Sequence, residues 1–220
     1  MSTARTAVKP AESSTREVRR LSSLLDTSQA LTGTIDLKAG LHRVLEILGR
    51  HHGAIRSTVV MLDEDTGQLQ VEASDGLDRP GYRVSYQLGE GITGRVVESG
   101  KSIVVPQISR EPMFLNRASK RSELPQQELS FICVPIVLQR AAVGALGVDL
   151  RFKPERDFDS SVKFFGVVSS MIGQALNVQR LVEEERRRLL DENTHLRQEL
   201  RERYDFSNII GTSGPTRLMY

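Results

Sequence analysis

Phe131-Ile-Cys-Val-Pro-Ile-Val-Leu138 and Ala142-Val-Gly-Ala-Leu-Gly-Val-Asp-Leu150, separated only by Gln139-Arg-Ala141, decide the fold. Each is apolar at consecutive positions, which predicts strands covered on both faces. So short a connection makes the two strands neighbours and antiparallel. Strands buried on both sides need a layer above and a layer below, so the chain reads as an α/β sandwich around an antiparallel sheet flanked by helices.

Upstream, Ser57-Thr-Val-Val-Met-Leu62 and Gln68-Leu-Gln-Val-Glu-Ala-Ser74 flank the turn Asp63-Glu-Asp-Thr-Gly67 and form a hairpin. Asp75-Gly76 and Pro80-Gly81 break the chain before Tyr82-Arg-Val-Ser-Tyr-Gln-Leu88, where Tyr82, Val84, Tyr86 and Leu88 share one face of a strand. Two helices precede the sheet. Ser14 and Glu17 have capping-box spacing, Val18, Leu21, Leu25 and Ser28 follow on one helical face, and Gly33 ends the element. Asp36 caps a second helix with the stripe Leu37, Leu41, Val44, Leu45 and Leu48, closed by His51-His52-Gly53. Adjacent histidines invite a metal hypothesis, but imidazolium near a helix C-terminal dipole accounts for them without a ligand. Residues 1–13 are polar and aperiodic and read as a disordered tail.

Downstream, Asp157 to Tyr204 meets no proline and carries the seam Phe165, Val168, Ile172, Ala175, Gln179, Val182, Arg186, Leu189, Asn193, Leu196 and Leu200. This is one long C-terminal helix with two environments. Up to about Leu176 apolar residues also lie off the seam, as for packing on a domain. From Arg180 to Arg203 seven arginines face seven acidic residues, a mixed-sign surface that suits a coiled-coil linker rather than a polyanion-binding arm. The distal half predicts a parallel homodimer through Val182, Leu189, Asn193, Leu196 and Leu200, with Asn193 fixing the register. Its alternative is a lone helix with pairs such as Glu183–Arg187 and Glu184–Arg188 along its own surface.

Composition excludes several classes. The chain of 220 residues has no apolar run of membrane-spanning length and no signal-peptide core, so it is expected to be cytoplasmic, with no membrane partner. A net charge of +2 offers no nucleic-acid surface. The single cysteine, Cys133, excludes an intrachain disulfide and a multi-cysteine metal site within one chain, and its apolar strand suits a buried hydrophobe better than a reactive thiolate. Leu88-Gly-Glu-Gly-Ile-Thr-Gly-Arg95 is glycine-spaced, but neither the dinucleotide nor the P-loop pattern is present. A tight turn at Gly89 and Gly91, a short helix over Ile92 to Glu98 and a stop at Gly100 account for it.

Gly89-Glu-Gly-Ile-Thr-Gly-Arg95, Gly100-Lys-Ser-Ile-Val-Val-Pro106, Glu111-Pro-Met-Phe114, Ser130-Phe-Ile-Cys-Val-Pro135 and Gly144-Ala-Leu-Gly-Val148 resemble the consecutive signatures of a GAF domain. The likeness covers about Ser22 to Val178. It implies a sensory fold with its pocket between the sheet and the 75–130 connections. Glu192-Asn193, Leu196-Arg-Gln-Glu-Leu200, Tyr204-Asp-Phe206 and Asn208-Ile-Ile-Gly211-Thr-Ser213 resemble the entry to the AAA+ motor of sigma-54-dependent activators, of the Nif-specific branch that controls nitrogen-fixation genes. The organisation so implied is a tail over 1–13, a GAF domain over 14–178, a coiled-coil linker helix over 179–204 and the start of a truncated AAA+ domain over 205–220.

The resemblance implies a regulatory fragment, not an enzyme. Its motor, with ATP and Mg, and its contacts with sigma-54 RNA polymerase and DNA would lie in other domains. It points to 2-oxoglutarate as effector, with no cofactor in the fragment, and to a PII-type signalling protein or a flavoprotein anti-activator as partners. Thr93, Arg95, Phe114, Arg117 and Cys133 are the ligand-binding candidates, and Arg95 or Arg117 would anchor a dicarboxylate. Pro106 to Leu129 is expected to cover the pocket. Other branches of the family bind cyclic nucleotides, through a signature absent here, or sense gases through iron, for which Asp75, Asp78 and Cys133 are the available ligands. A GAF-type methionine sulfoxide reductase would need several cysteines.

Overall fold

A computed structural model describes residues 10–34, 36–63, 65–76, 85–111 and 127–211, with side chains at Ser14 and, within those ranges, from Glu17 to Glu202. The elements are α1 (Pro10–Thr32), α2 (Leu37–His52), β1 (Ala54–Leu62), β2 (Gln68–Asp75), β3 (Ser85–Gln87), α3 (Gly91–Ser99), β4 (Ile103–Val105), β5 (Leu129–Leu138), β6 (Ala141–Arg151) and α4 (Phe158–Gly211), with a 3-10 turn at Ile108–Arg110. The chain divides into two compact units, one ending at Asn177 and the other beginning at Val178.

In the first unit one six-stranded sheet runs in the order β3-β2-β1-β6-β5-β4, antiparallel throughout. The apolar runs of β5 and β6 are central neighbours, as their composition requires. Their turn is tighter than the sequence suggests, because Leu138 pairs with Ala141 and only Gln139 and Arg140 remain in it. Both turn residues have positive φ, 51° and 91°, the geometry of a two-residue hairpin whose twist matches the strands.

The sheet separates two cores. On one face Val59, Ile132, Val134, Ile136, Leu146 and Val148 pack with the α2 stripe Leu41, Val44, Leu45 and Leu48 and with Phe165, Val168 and Ile172 of α4. On the other face Val60, Leu69, Phe131, Cys133 and Ala145 pack beneath Ile92, Val96 and Val97 of α3. Local signals place the helix ends. Asp36 accepts the Lys38 N–H at 3.0 Å, and Gly53 and Gly100 close α2 and α3 in the left-handed conformation. Asp157 accepts the Ser160 N–H at 3.0 Å at the start of α4.

Four expectations change. α1 begins at Pro10, not Ser14, since proline is favoured in a first helical turn where its missing N–H is not needed. The apolar stripe of α1 faces outward, with Val18, Leu21 and Leu25 60–67% exposed, while Ser23, Thr27, Ala30 and Leu31 are buried. α4 runs on to Gly211, through residues whose motifs suggest the entry to a following domain. The third strand is three residues long, and Tyr82 and Val84 lie outside the described residues.

Two glycines of α4 test how tightly it seats on the sheet. A Cβ at Gly173 would stand 2.6 Å from the Val137 carbonyl oxygen, whereas one at Gly166 would meet nothing within 4 Å. Gly166→Ala is expected to raise stability by about 0.5–1 kcal/mol through helix propensity. Gly173→Ala, with the same propensity gain, is expected to lower it by about 1–3 kcal/mol because backbone must shift. Denaturant unfolding of the two variants reads the difference.

Candidate functional site

The polar groups gather on the α3 face of the sheet. Strand alternation aims Arg56 and Thr58 of β1, Phe131 and Cys133 of β5 and Gly147 and Asp149 of β6 to that side. Register sets Asp149 between Arg56 on β1 and Phe131 on β5. Arg56 donates to Asp149 Oδ2 from Nε at 2.7 Å and from Nη2 at 2.6 Å, and the two side chains are only 8% and 9% exposed. Both contacts fall on the same carboxylate oxygen, and Oδ1 has no hydrogen-bond partner. Burial pushes the Asp149 carboxyl above its ordinary range, against the pull of the Arg56 charge and hydrogen bond. Gly147 lets the Phe131 ring and Thr58 Oγ1 close over the strand, since a Cβ there would stand 3.0 Å from the ring and 3.1 Å from the hydroxyl.

Cys133 lies further along β5, fully buried in the cluster beneath α3, the helix that carries Thr93. Burial pushes the thiol pKa up to about 12, with the pull of Thr93 opposing. The group is a neutral thiol at physiological pH. α3 is positioned by the turn before it: Gly89 and Gly91 take positive φ, and Gly94 lies against the Gln87 carbonyl and the Gly89 backbone, where a side chain has no room.

Of the residues singled out in the sequence, Thr93 and Cys133 come together under α3. Arg95 stands on the exposed side of the same helix, away from Ile92 and Val96. Phe114 and Arg117 lie outside the described residues, as do Asp78 and most of the expected cover from Pro106 to Leu129. The two stems of that connection are tied to each other: Ser109 N–H donates to Glu128 Oε1 at 3.1 Å and Ser130 Oγ donates to the Pro106 carbonyl at 2.7 Å. The bonds from Ser109 hold the Glu128 carboxyl below its ordinary range.

The Arg56–Asp149 pair escaped the sequence reading because its members are 93 positions apart. One signal was available, a single charge in each of two otherwise weakly polar strand segments, Ala54-Ile-Arg56 and Val148-Asp-Leu150. His52 also differs from expectation. Its ring stacks on Phe164 at 4.0 Å between centroids and shares a 2.7 Å hydrogen bond with Ser23 Oγ. Burial, then the charges of Arg20, His51 and Arg19, lower its pKa to about 4, so it is a neutral packing group and not an imidazolium at the helix dipole. Among the described residues no group of three or more His, Cys, Asp or Glu could hold a metal ion, and no helix is long and apolar enough to cross a membrane.

In the second unit Val182, Leu189, Leu196 and Leu200 are each more than half exposed, and Asn193 is exposed with them. Surface ion pairs run along the helix. Arg187 meets Glu183 at 3.6 Å as the spacing predicts, but Glu184 meets Arg180 at 3.6 Å and Arg188 takes Glu185 at 2.7 Å, not Glu184.

Residues 34–177 match the family model described as GAF domain. The chain is 36% identical over 200 residues, 90% of its length and 38% of the relative's, to the nitrogen fixation protein VnfA of Azotobacter vinelandii. It is 35% identical over 184 residues, 82% of its length and 29% of the relative's, to the Nif-specific regulatory protein of Azospirillum brasilense. The chain thus spans well under half the length of these curated relatives. Among solved structures, the A. aeolicus nlh2 GAF domain in an inactive state superposes with a TM-score of 0.68 at 20% identity, covering 74% of this chain and 99% of that one. The free methionine-R-sulfoxide reductase of Neisseria meningitidis superposes at 0.64 and 16% identity, covering 83% and 99%. At such identities these two speak for the fold alone.

Two measurements check the site. Cys133 is expected to resist thiol reagents at pH 8 in the folded protein and to react fully on unfolding, and rapid labelling of the native chain would show that its burial is wrong. Arg56→Met should cost on the order of 3–5 kcal/mol at neutral pH by leaving Asp149 buried without its partner. With the lowering influence of Arg56 gone, the Asp149 carboxyl rises further above 3.8. The folded state then takes up a proton at higher pH than the unfolded chain, so the loss should shrink as pH falls from neutrality toward 4. Urea unfolding across that range measures it.

Proposed function

The chain belongs to the GAF domain family, and on that premise we propose that it is the sensory region of a sigma-54-dependent activator of nitrogen-fixation genes. The observation that carries this reading is the identity of 33–36% to VnfA and AnfA of Azotobacter vinelandii and to Nif-specific regulatory proteins, over 82–92% of the chain. The α3 face supplies a place for an effector to act, a small molecule or a regulatory protein. The opposite face holds Phe165, Val168 and Ile172 of α4, so a change at β5 or β6 meets both the sensing face and the root of the long helix. β5 carries the link, with Cys133 on one face and Val134 and Ile136 on the other.

The output in this reading is a parallel homodimer through Val182, Leu189, Asn193, Leu196 and Leu200. Exposed leucines at heptad spacing support it, because a solvated helix held only by surface pairs gains about 0.2–0.5 kcal/mol from each. The motor with its ATP and Mg, sigma-54 RNA polymerase and DNA belong to the whole activator in this proposal. For 2-oxoglutarate, a PII-type protein or an anti-activator the support is family resemblance, and Arg95 lends no buried anchor to a dicarboxylate.

The functional test is a chimera in which this chain replaces the corresponding region of the Azospirillum brasilense Nif-specific regulatory protein. Reporter expression that still responds to fixed nitrogen supports the reading, and expression indifferent to it, whether on or off, overturns it. Sedimentation tests the dimer. The chain is expected at twice its 24.6 kDa mass, with Leu189→Asp and Leu196→Asp returning it to monomer. A monomer at every concentration, or a mass unaltered by both changes, would sink the proposed route.

A further inference from the structure

The strongest helical signal in α1 points away from the domain. Val18, Leu21 and Leu25 recur at spacings of three and four, the seam of a helix that packs on another helix, and they are 60–67% exposed. A helix in a protein is ordered chiefly by burying its apolar face. α1 is 23 residues long, yet among its described side chains only Ala30 and Leu31 are buried hydrophobics. The packing that its sequence encodes is therefore missing from a single protomer.

The stripe lies beside α4. The Arg20 guanidinium reaches Ser160 and stands over the Phe164 ring. Leu24, four residues on from Arg20 and three from Leu21, joins that side of α1 to the stripe and packs partly on the core. Val167, seven residues past Ser160 and so on the same side of α4, is 46% exposed, and Gly166 next to it has open space. A specific interface buries about 800 Å² on each partner, which four aliphatic side chains do not supply. A freely diffusing partner gains too little from such a face, whereas one already held at about millimolar effective concentration can close on it. The exposed charges around it are one of each sign on each helix, Glu17 and Arg19 on α1 and Asp159 and Lys163 on α4, so two copies meet without net like-charge repulsion.

We propose that the α1 stripe, with the outer side of the first turns of α4, is a second contact between two copies of this chain, closed on the dimer that the distal helices hold. This rests on the dimer of the proposed function and gives the sensory unit its own contact across that dimer. Cys133 is the single cysteine and is buried, so an introduced cysteine supplies the reactive thiol. With a short bismaleimide, the full chain carrying Leu21→Cys is expected to couple into a covalent dimer, as is Leu196→Cys, while Arg43→Cys, exposed on α2, stays uncoupled. Val18→Gln, Leu21→Gln and Leu25→Gln together keep helix propensity. Sedimentation of that variant is expected to give a dissociation constant raised about tenfold or more, with helical circular dichroism unchanged. If it loses helix, the cysteine arm decides alone. Coupling at Leu196→Cys without coupling at Leu21→Cys overturns the inference and leaves the distal dimer standing, as does an unaltered dissociation constant. Coupling at neither position overturns both.

Discussion

The constraint on which this structure depends is that the apolar runs of β5 and β6 are buried on both faces. A sheet of that kind cannot leave either side to water, and the two coverings differ in character. On one side α2 and α4 supply continuous aliphatic and aromatic surface, with Leu41, Leu45, Leu48, Val168 and Ile172 almost wholly buried. On the other side the nine-residue α3 is the described helix, and the buried set there includes an ion pair and the Cys133 thiol. Chemistry and support are thereby assigned to opposite sides of one layer. Any group that acts on the α3 face works against strands whose reverse side is fixed to α4.

Much of the fold was legible in the sequence because its signals are local. The double-sided strands, the hairpin of β1 and β2, the Asp36 cap and the glycines at 53, 89, 91 and 100 each state their conformation within a few residues. The orientation of α1 was not legible in that way. Its aliphatic stripe is periodic, but periodicity names a face without saying what it faces, and the inward side is made of Ser23, Thr27 and Ala30. The site was half legible. Thr93 and Cys133 sit in motifs, so the sequence singles them out, and the fold sets one on α3 and the other on the sheet beneath it. The Arg56–Asp149 pair depends on strand order, which brings β1 beside β6 across most of the domain, and no local pattern encodes that neighbour.

α4 shows how one helix can belong to two environments. In the first unit its residues are chosen by packing: Phe164, Phe165, Val168 and Ile172 are buried, and Gly173 is small because the Val137 carbonyl lies against it. In the second unit every side chain described is exposed and the ordering is electrostatic, through i to i+3 and i to i+4 pairs of arginine and glutamate. Exposed ion pairs of this kind weaken with salt, while aliphatic contacts do not.

The way α1 is attached bears on the order in which the domain loosens. Its buried contacts are largely polar: Ser23 with His52, the Arg20 guanidinium with Ser160 and over the Phe164 ring, and the Thr27 hydroxyl turned back to the Ser23 carbonyl. Ala30 and Leu31, near its end, are its only buried hydrophobic side chains among those described. A helix held so lightly opens at a free energy well below that of the sheet, as a separate cooperative unit. Its amides would exchange with solvent while those of β5 and β6 stay closed, and the native state would include a minor population in which the underside of Phe164 and the α2 terminus is laid bare.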